Sequence, residues 1–322
     1  NFITNANPVL KHENFSTDVD ALELLNGKRF EIIRTPTQPE LNEYADSGEL
    51  SVYDMNTRTM AEQEDLENGV FRLGYGHEGQ IDDWFSLLNL GYRYTALGNS
   101  DTHGTTKVES GCPRNYVYYP DDDPMFADDI AIATAVREGR VVTSYGPFIE
   151  FYANGDPSLS VGSDVTVEGG SVQFHIEVQS PSWFTVDRVE LYENGNLIQE
   201  FTIPSPNTGI INLSEDIEIS PTKDSWYVVI ALGDDDLAPL YTAVEIPGVQ
   251  LQDIVTDAFS DVELSLDIST FLSPATPIPR DYPVIPFAIT NPIWVDQNGD
   301  DIFTPPGLPE WLAEPIDPAE QE

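Results

Sequence analysis

The sequence is poor in cysteine, in basic residues and in long apolar runs. A single cysteine, Cys112, among 322 residues excludes an intrachain disulfide and a thiolate metal cluster built by this chain alone. Fourteen Lys and Arg against 56 Asp and Glu give a net charge of −42 and a pI near 4.1. Such a charge repels polyanions and argues against binding to nucleic acid or an anionic membrane. No apolar run reaches the roughly 20 residues that a membrane span needs, and no signal peptide is visible.

The residues that are present predict a globular protein with an acidic surface. Hydrophobic residues make up 40% and aromatic residues 11% of the chain, which is enough for two cores. Acidic residues are scattered through all segments, as in a salt-adapted surface or a secreted protein in a calcium-rich medium. We therefore expect a secreted, periplasmic or cell-surface protein, with a salt-adapted cytoplasm as the alternative. Because the chain starts at Asn1 without an initiator Met, we expect a processed chain or an internal fragment.

Residues 1–152 alternate short apolar runs with helical patterns, which predicts an α/β unit with mostly parallel strands. The strands are predicted at residues 2–4, 21–25, 92–97 and 141–144, and the helices at 81–90 and 128–137. Acidic residues open both helices, and glycine follows each of them.

Residues 153–246 have the pattern of an immunoglobulin-like β-sandwich. Val172, Phe174, Ile176 and Val178 alternate with polar residues, as expected for a half-buried strand. The pair Asn194-Gly195 is a strong hairpin signal. Residues 247–322 are predicted as a proline-rich extended segment and a C-terminal strand with a calcium-like loop that pack on the sandwich.

Two stretches have the residue types of a metal site. Asp101 and His103 follow the apolar run 92–97, so both side chains can point into one cavity at the end of a strand. Asp and His in a loop are also common hydrogen-bonded turn residues. Asp296, Asn298 and Asp300 alternate around Gly299 as oxygen ligands do in short calcium loops, without the bidentate Glu of an EF-hand.

Several ordered motifs resemble a known family. Four segments resemble, in order, the C-terminal half of a PHP domain, and look most like the carbaryl-hydrolase-like branch of those metallohydrolases: Trp84 to Gly91, Gly98 to His103, Gly111 to Val117 and Gly139 to Phe148. The similarity continues through the sandwich to Thr290-Asn291-Pro292-Ile293-Trp294-Val295-Asp296.

The resemblance implies a partial, distorted (β/α)7 barrel with a hydrolytic centre of two or three metals at the carboxyl ends of its strands. Asp101 and His103 match the family's Asp-x-His ligand pair, and Glu23 matches its bridging glutamate. Carboxylates and imidazoles suit Zn, Mn or Fe. Asn7 stands where the family has a ligand histidine, and an amide is a poor replacement for imidazole. The family's first His-x-His pair would come from an N-terminal half of the same precursor.

Arg114 follows Pro113 in a family-like position and suits an anionic group of a small-molecule substrate, although a salt bridge to one of many acids is the alternative. The leading hypothesis is a metal-dependent hydrolase of phosphoester, ester or carbamate bonds, in which Asp101, His103 and Arg114 act at the reaction centre. The rival is a catalytically degenerate secreted or surface protein that reuses the barrel and sandwich for structure or binding, with calcium as a stabiliser. A calcium-loaded homo-oligomer or surface assembly is the third option.

Overall fold

The computed structural model describes residues 18–27, 80–102, 110–119, 123–126, 128–167, 169–204, 209–233, 237–239, 241, 244–245, 281–282 and 284–307. The strand predicted at residues 2–4 and most of the proline-rich segment lie outside these residues. Within them, no helix is long and apolar enough to cross a lipid bilayer.

Two parallel strands carry the first predicted site residues. Strand β1 (Ala21–Asn26) pairs in parallel with β2 (Thr95–Asn99), in a register that runs from Ala21 opposite Thr95 to Asn26 opposite Asn99. Helix α1 (Gln80–Asn89) precedes β2 and buries Trp84, Phe85 and Leu88 completely. Because parallel strands end on the same side, the carboxyl ends of β1 and β2 share one edge.

Strand β2 begins later than the apolar run 92–97 predicts. Tyr92 and Tyr94 stack on each other with ring centroids 5.3 Å apart, and the Trp84 indole donates to the Tyr94 carbonyl at 2.7 Å. That carbonyl is therefore satisfied by a side chain, and pairing starts only at Thr95. The strand continues through Gly98 and Asn99, two residues beyond the predicted end at residue 97.

Helix α2 (Asp129–Arg137) lies where the sequence predicts it, and both of its ends are capped. The Asp128 side chain accepts from the Ile130 amide at 2.9 Å, which satisfies one free N–H of the first turn. At the other end Gly139, with φ 74°, donates to Val136, and Arg140 donates to Ala135. These two bonds form the Schellman motif, which requires the left-handed conformation that glycine adopts without strain.

The larger sheet has eight strands among the described residues. They are β3 (Arg114–Val117), β4 (Val141–Ser144), β7 (Asp164–Thr166), β9 (Arg188–Glu193), β10 (Asn196–Thr202), β12 (Ser225–Leu232), β15 (Phe287–Thr290) and β16 (Ile293–Asp296). The main path of the sheet runs β10, β9, β12, β15, β4, β3, and β16 joins it by pairing with β12 and β7. The C-terminal strands therefore lie inside the sheet, and the sheet crosses the predicted boundaries at residues 152 and 246.

The second sheet has the order β11, β8, β5, β6 and faces the first. Its strands are β5 (Phe148–Ala153), β6 (Asp156–Ser160), β8 (Val172–Gln179) and β11 (Ile211–Ile219), while β13 (Val244–Glu245), β14 (Asp281–Tyr282) and the 3-10 helix Pro124–Phe126 lie outside both sheets. The boundary predicted at residue 152 falls inside β5.

The core between the two sheets confirms a β-sandwich, and its immunoglobulin-like type stays a prediction. The rings of Phe174 on β8 and Tyr227 on β12 meet with centroids 4.7 Å apart. Burial alternates along β8 as the sequence pattern predicts. The hairpin also forms at Asn194-Gly195, where φ is positive at both residues. Burial raises the pKa of Tyr227, whose hydroxyl donates to Glu193 at 2.6 Å.

Two asparagine side chains join β2 to the larger sheet. The Asn291 carboxamide accepts from the Ala96 amide at 2.8 Å and donates to the Ala96 carbonyl at 3.0 Å. Asn115 makes the same two bonds to Gly98, both at 2.8 Å. The backbone N–H and C=O groups of Ala96 and Gly98 point away from β1. The two carboxamides bond to them as a neighbouring strand would. The two regions are thus tied by side chain to backbone hydrogen bonds.

Candidate functional site

The carboxyl ends of β1 and β2 carry a small network of carboxylate and amide groups. The exposed side chain of Glu23 accepts from Asn99 Nδ2 through Oε2 at 2.9 Å, and from Asn26 Nδ2 through Oε1. Asn99 Oδ1 in turn lies 3.4 Å from Asn115 Nδ2. Two amides from neighbouring strand ends therefore orient the carboxylate that was predicted as a metal ligand.

Asp101 lies in the loop that leaves β2 at this same edge. Its backbone adopts a left-handed conformation with φ 49°, which a short polar residue tolerates better than a branched one. The hydroxyls of Ser100 and Thr102 on either side of it are 2.9 Å apart. The structure thus brings the Glu23 strand and the Asp101 loop to one edge. His103 and Asn7, the other two residues predicted for the transition-metal site, lie outside the described residues.

Arg114 begins β3, next to the asparagine that holds β2. Its Nε donates to the Gly111 carbonyl at 3.0 Å, and Nη2 donates to the Tyr241 hydroxyl at 2.9 Å. Within the part of the chain that the structure describes, Arg114 forms no ion pair, so the salt bridge alternative is not seen there. The guanidinium is fixed by two neutral oxygens and retains its charge for an anionic group.

The loop Asp296 to Asp301 is organised by its own side chains. Asp296, only 8% exposed, accepts from the amides of Gly299 at 2.7 Å and Asp301 at 2.8 Å. Asn298 Oδ1 accepts from the Asp300 amide, and Asp300 Oδ1 accepts from the Ile302 amide, each at 2.9 Å. These bonds hold the loop through its backbone, and calcium at Asp296, Asn298 and Asp300 stays a prediction.

The metal centre expected at this edge stays a prediction in the described residues. Among them, no three His, Cys, Asp or Glu side chains form a group that could hold a metal ion. Glu23 and Asp101 provide carboxylate oxygens, and Asn26 Oδ1 is a buried acceptor with no hydrogen-bond partner in the described structure. Carboxylate and amide oxygens at one edge suit a divalent cation if imidazole ligands join them.

Sequence reasoning missed the asparagines around this edge. Asn99, Asn115 and Asn291 all lie within the motifs that carry the family resemblance, but amides are less conspicuous than acids and histidines. The signal that could have found Asn99 is position, because it lies two residues after the predicted strand 92–97, where strands hand over to loops. The partners of Asn115 and Asn291 lie 17 and 195 residues away, and no local pattern indicates them.

Comparison with known proteins adds little to this geometry. No protein-family model matches the chain, and no curated protein matches it. One solved structure is similar, the CARDB domain of a Pyrococcus furiosus protein crystallised in complex with di-metal ions. The similarity covers 28% of this chain and 72% of that one, at 18% identity and a TM-score of 0.20.

Proposed function

We propose that the chain is a metal-dependent hydrolase of the PHP type, from the carbaryl-hydrolase-like branch, which cleaves phosphoester, ester or carbamate bonds in small molecules. The observation that supports it is the parallel pairing of β1 and β2, which places Glu23, Asn99 and Asp101 at one carboxyl edge. Active sites of (β/α) barrels lie at this edge. In this proposal β1 and β2 belong to the distorted barrel, and the two packed sheets form the immunoglobulin-like sandwich.

In this proposal Glu23, Asp101 and His103 hold Zn, Mn or Fe, together with ligands outside the described residues. The donor set fits, since it combines carboxylate oxygens with an imidazole and leaves the Asn26 acceptor oxygen beside Glu23. A divalent metal supplies a nucleophile at neutral pH by lowering the pKa of a bound water to about 7. Asn99 and Asn26 keep the Glu23 carboxylate oriented, as the outer partners of metal ligands do.

Arg114 has the role of orienting substrate. Its Nε and Nη2 are held by Gly111 and Tyr241, and this leaves Nη1 for a phosphoryl or carbonyl oxygen. Asn115, the next residue, ties β3 to Gly98 of β2. This bond keeps Arg114 close to the carboxyl end of β2.

The test is metal content and turnover of the full chain. Elemental analysis after purification, followed by rates with bis(4-nitrophenyl) phosphate, an aryl acetate and an aryl carbamate, should show bound Zn, Mn or Fe and one hydrolysed class. Asp101→Ala should lower the rate by at least about a hundredfold, whereas Glu200→Ala, an exposed acid on β10, should leave it unchanged. Absence of metal together with an unchanged rate in Asp101→Ala would contradict the proposal.

One observation favours the second candidate, a non-catalytic binding or structural protein of the secreted or cell-surface kind. Both carboxylate oxygens of Glu23 already accept hydrogen bonds from amides, so this carboxylate is satisfied as part of the fold. In that case Glu23→Gln would lower stability without altering metal content or any rate, and the two candidates separate on this variant.

A further inference from the structure

A pocket of about 450 Å³ opens at the amino end of β2, at the far end of the strand from Asn99. Its walls come from Arg93 to Thr95, from the end of α2, from the turn between β6 and β7, and from the link between β15 and β16. This volume lies within the range of roughly 300–1,000 Å³ that small-molecule pockets occupy. None of the residues predicted for the metal site or the calcium loop lines this pocket.

Close backbone contacts fix the shape of this pocket. A Cβ added to Gly162 would lie 2.1 Å from the Glu138 carbonyl oxygen, so only glycine lets the β6–β7 turn approach the end of α2. The Gly162 amide donates to the Pro292 carbonyl at 2.8 Å. Asn291, fully buried in the wall, donates to the Val141 carbonyl at 2.9 Å. The pocket is therefore preformed by the fold.

The charge of the lining is unusual for this chain. The described residues contain six basic side chains: Arg93, Arg114, Arg137, Arg140, Arg188 and Lys223. Three of these six, Arg93, Arg137 and Arg140, line the same pocket. Each of the three is paired with an acid, Asp164, Asp20 or Glu138, so the pocket is close to neutral. In a protein of net charge −42 it therefore repels an anion less than most of the surface does.

The three arginines differ in which of their guanidinium nitrogens are hydrogen bonded. Arg93 uses Nη1 and Nη2 for Asp164 at 3.0 and 2.7 Å, and its guanidinium covers the Trp294 ring at 4.5 Å, so it forms a wall. Arg137 and Arg140 use only Nε, for Asp20 at 3.2 Å and Glu138 at 3.0 Å. Among the described residues, their Nη atoms have no hydrogen-bond partner.

The acidic partners of Arg137 and Arg140 are exposed, at 62% for Asp20 and 52% for Glu138. Ion pairs this exposed are weak, because water screens them. They hold each guanidinium by Nε and leave the paired Nη groups, which match the two oxygens of a phosphate or carboxylate.

We propose that this pocket binds a small molecule through a phosphate or carboxylate group, with Arg137 and Arg140 as the residues that recognise the oxyanion. Leu159, Pro292 and Trp294 supply apolar surface for the remainder of the ligand. The site is separate from the proposed metal centre and does not depend on it.

The test is calorimetric titration of the full chain with inorganic phosphate and, separately, with succinate. Passage over a chelating resin beforehand removes metal without leaving a soluble carboxylate, so that phosphate cannot bind metal at the other edge, and sodium chloride keeps the ionic strength constant. We expect saturable binding of one probe with a Kd on the order of 1 mM, and a loss of about tenfold in Arg137→Gln and in Arg140→Gln. The probe that binds identifies the oxyanion. Lys223→Gln removes the same charge at an exposed site elsewhere and should leave the Kd unchanged.

A variant that should tighten binding distinguishes a change in ligand recognition from a loss of protein stability. Glu138→Gln removes the acid that competes for Arg140, so it should tighten binding by about threefold, a gain that a destabilised protein cannot produce. The proposal is overturned if neither probe binds saturably, if Lys223→Gln weakens binding as much as Arg140→Gln does, or if Glu138→Gln weakens it.

Discussion

The two ends of strand β2 differ in charge. Its carboxyl end lies with Glu23, Asn99 and Asp101, whose oxygens suit a cation. Its amino end, four residues or about 13 Å away, opens into a pocket with three arginines. Three of the six basic side chains in the described residues therefore lie together, and an acidic surface alone does not explain this clustering. The two proposals therefore place binding regions of opposite preference at the two ends of one strand.

Asn291→Ala should destabilise both ends of β2 and cause the largest loss of stability. Its carboxamide pairs the Ala96 amide and carbonyl and also the Val141 carbonyl. Removing it leaves the Ala96 amide without a partner and leaves each carbonyl with one longer hydrogen bond, from Thr143 Oγ1 at 3.3 Å and from the Asn291 amide at 3.2 Å. We expect a loss of about 4 kcal/mol in the free energy of unfolding. Urea unfolding measures it, with the exposed Asn196→Ala as control. A loss no larger than that of the control would show that the two regions do not depend on this junction.

Gly162→Ala should damage the amino end, by about 3 kcal/mol from overpacking and a strained φ of 84°. Gly155→Ala is the matched control, since its φ is 69° but nothing lies within 4 Å of an added Cβ. The control should cost only about 1 kcal/mol of backbone strain. The difference in free energy of unfolding between the two variants, measured with urea, isolates the close contact with Glu138. Equal losses would mean that this contact does not affect stability.

Asn115→Ala should damage only the carboxyl end. It leaves the Gly98 amide and carbonyl unpaired and loosens Asn99, for an expected loss of about 2 kcal/mol. Metal affinity should fall about tenfold, as for other partners that orient ligands. Phosphate binding at the amino end should stay within twofold of the wild type. If both affinities fell together, the two ends would not be independent.

The smallest effect concerns the wall of the pocket. Arg93 and Asp164 form a bidentate pair, but their side chains are 42% and 67% exposed. A double-mutant cycle with Arg93→Ala and Asp164→Ala should therefore give a coupling energy below about 1 kcal/mol. A larger value would mean that this ion pair stabilises the fold more than its exposure predicts.

Local signals in the sequence predicted much of the fold. The position of helix α2, its end at Gly139, the alternation along β8 and the Asn194-Gly195 turn are each determined by residues within a few positions. The place of β15 and β16 inside the larger sheet was not predictable in this way, because it depends on pairing with β4, β7 and β12 far along the chain.

The site was predictable only in part, for the same reason. Glu23 and Asp101 reach one edge because their strands are parallel neighbours, as the alternating pattern indicated. The contact between Asn99 and Glu23 joins residues 76 positions apart, and the pocket assembles from four separate segments. Periodicity and spacing do not carry such long-range information.

The most direct test of the central claim is titration of the full, metal-depleted chain with Mn²⁺ and Zn²⁺. The account predicts saturable binding that weakens at least about tenfold in Glu23→Gln and Asp101→Asn, and that stays unchanged in Arg140→Gln at the opposite end of β2. Absence of saturable binding, or equal affinity in all four proteins, would contradict it.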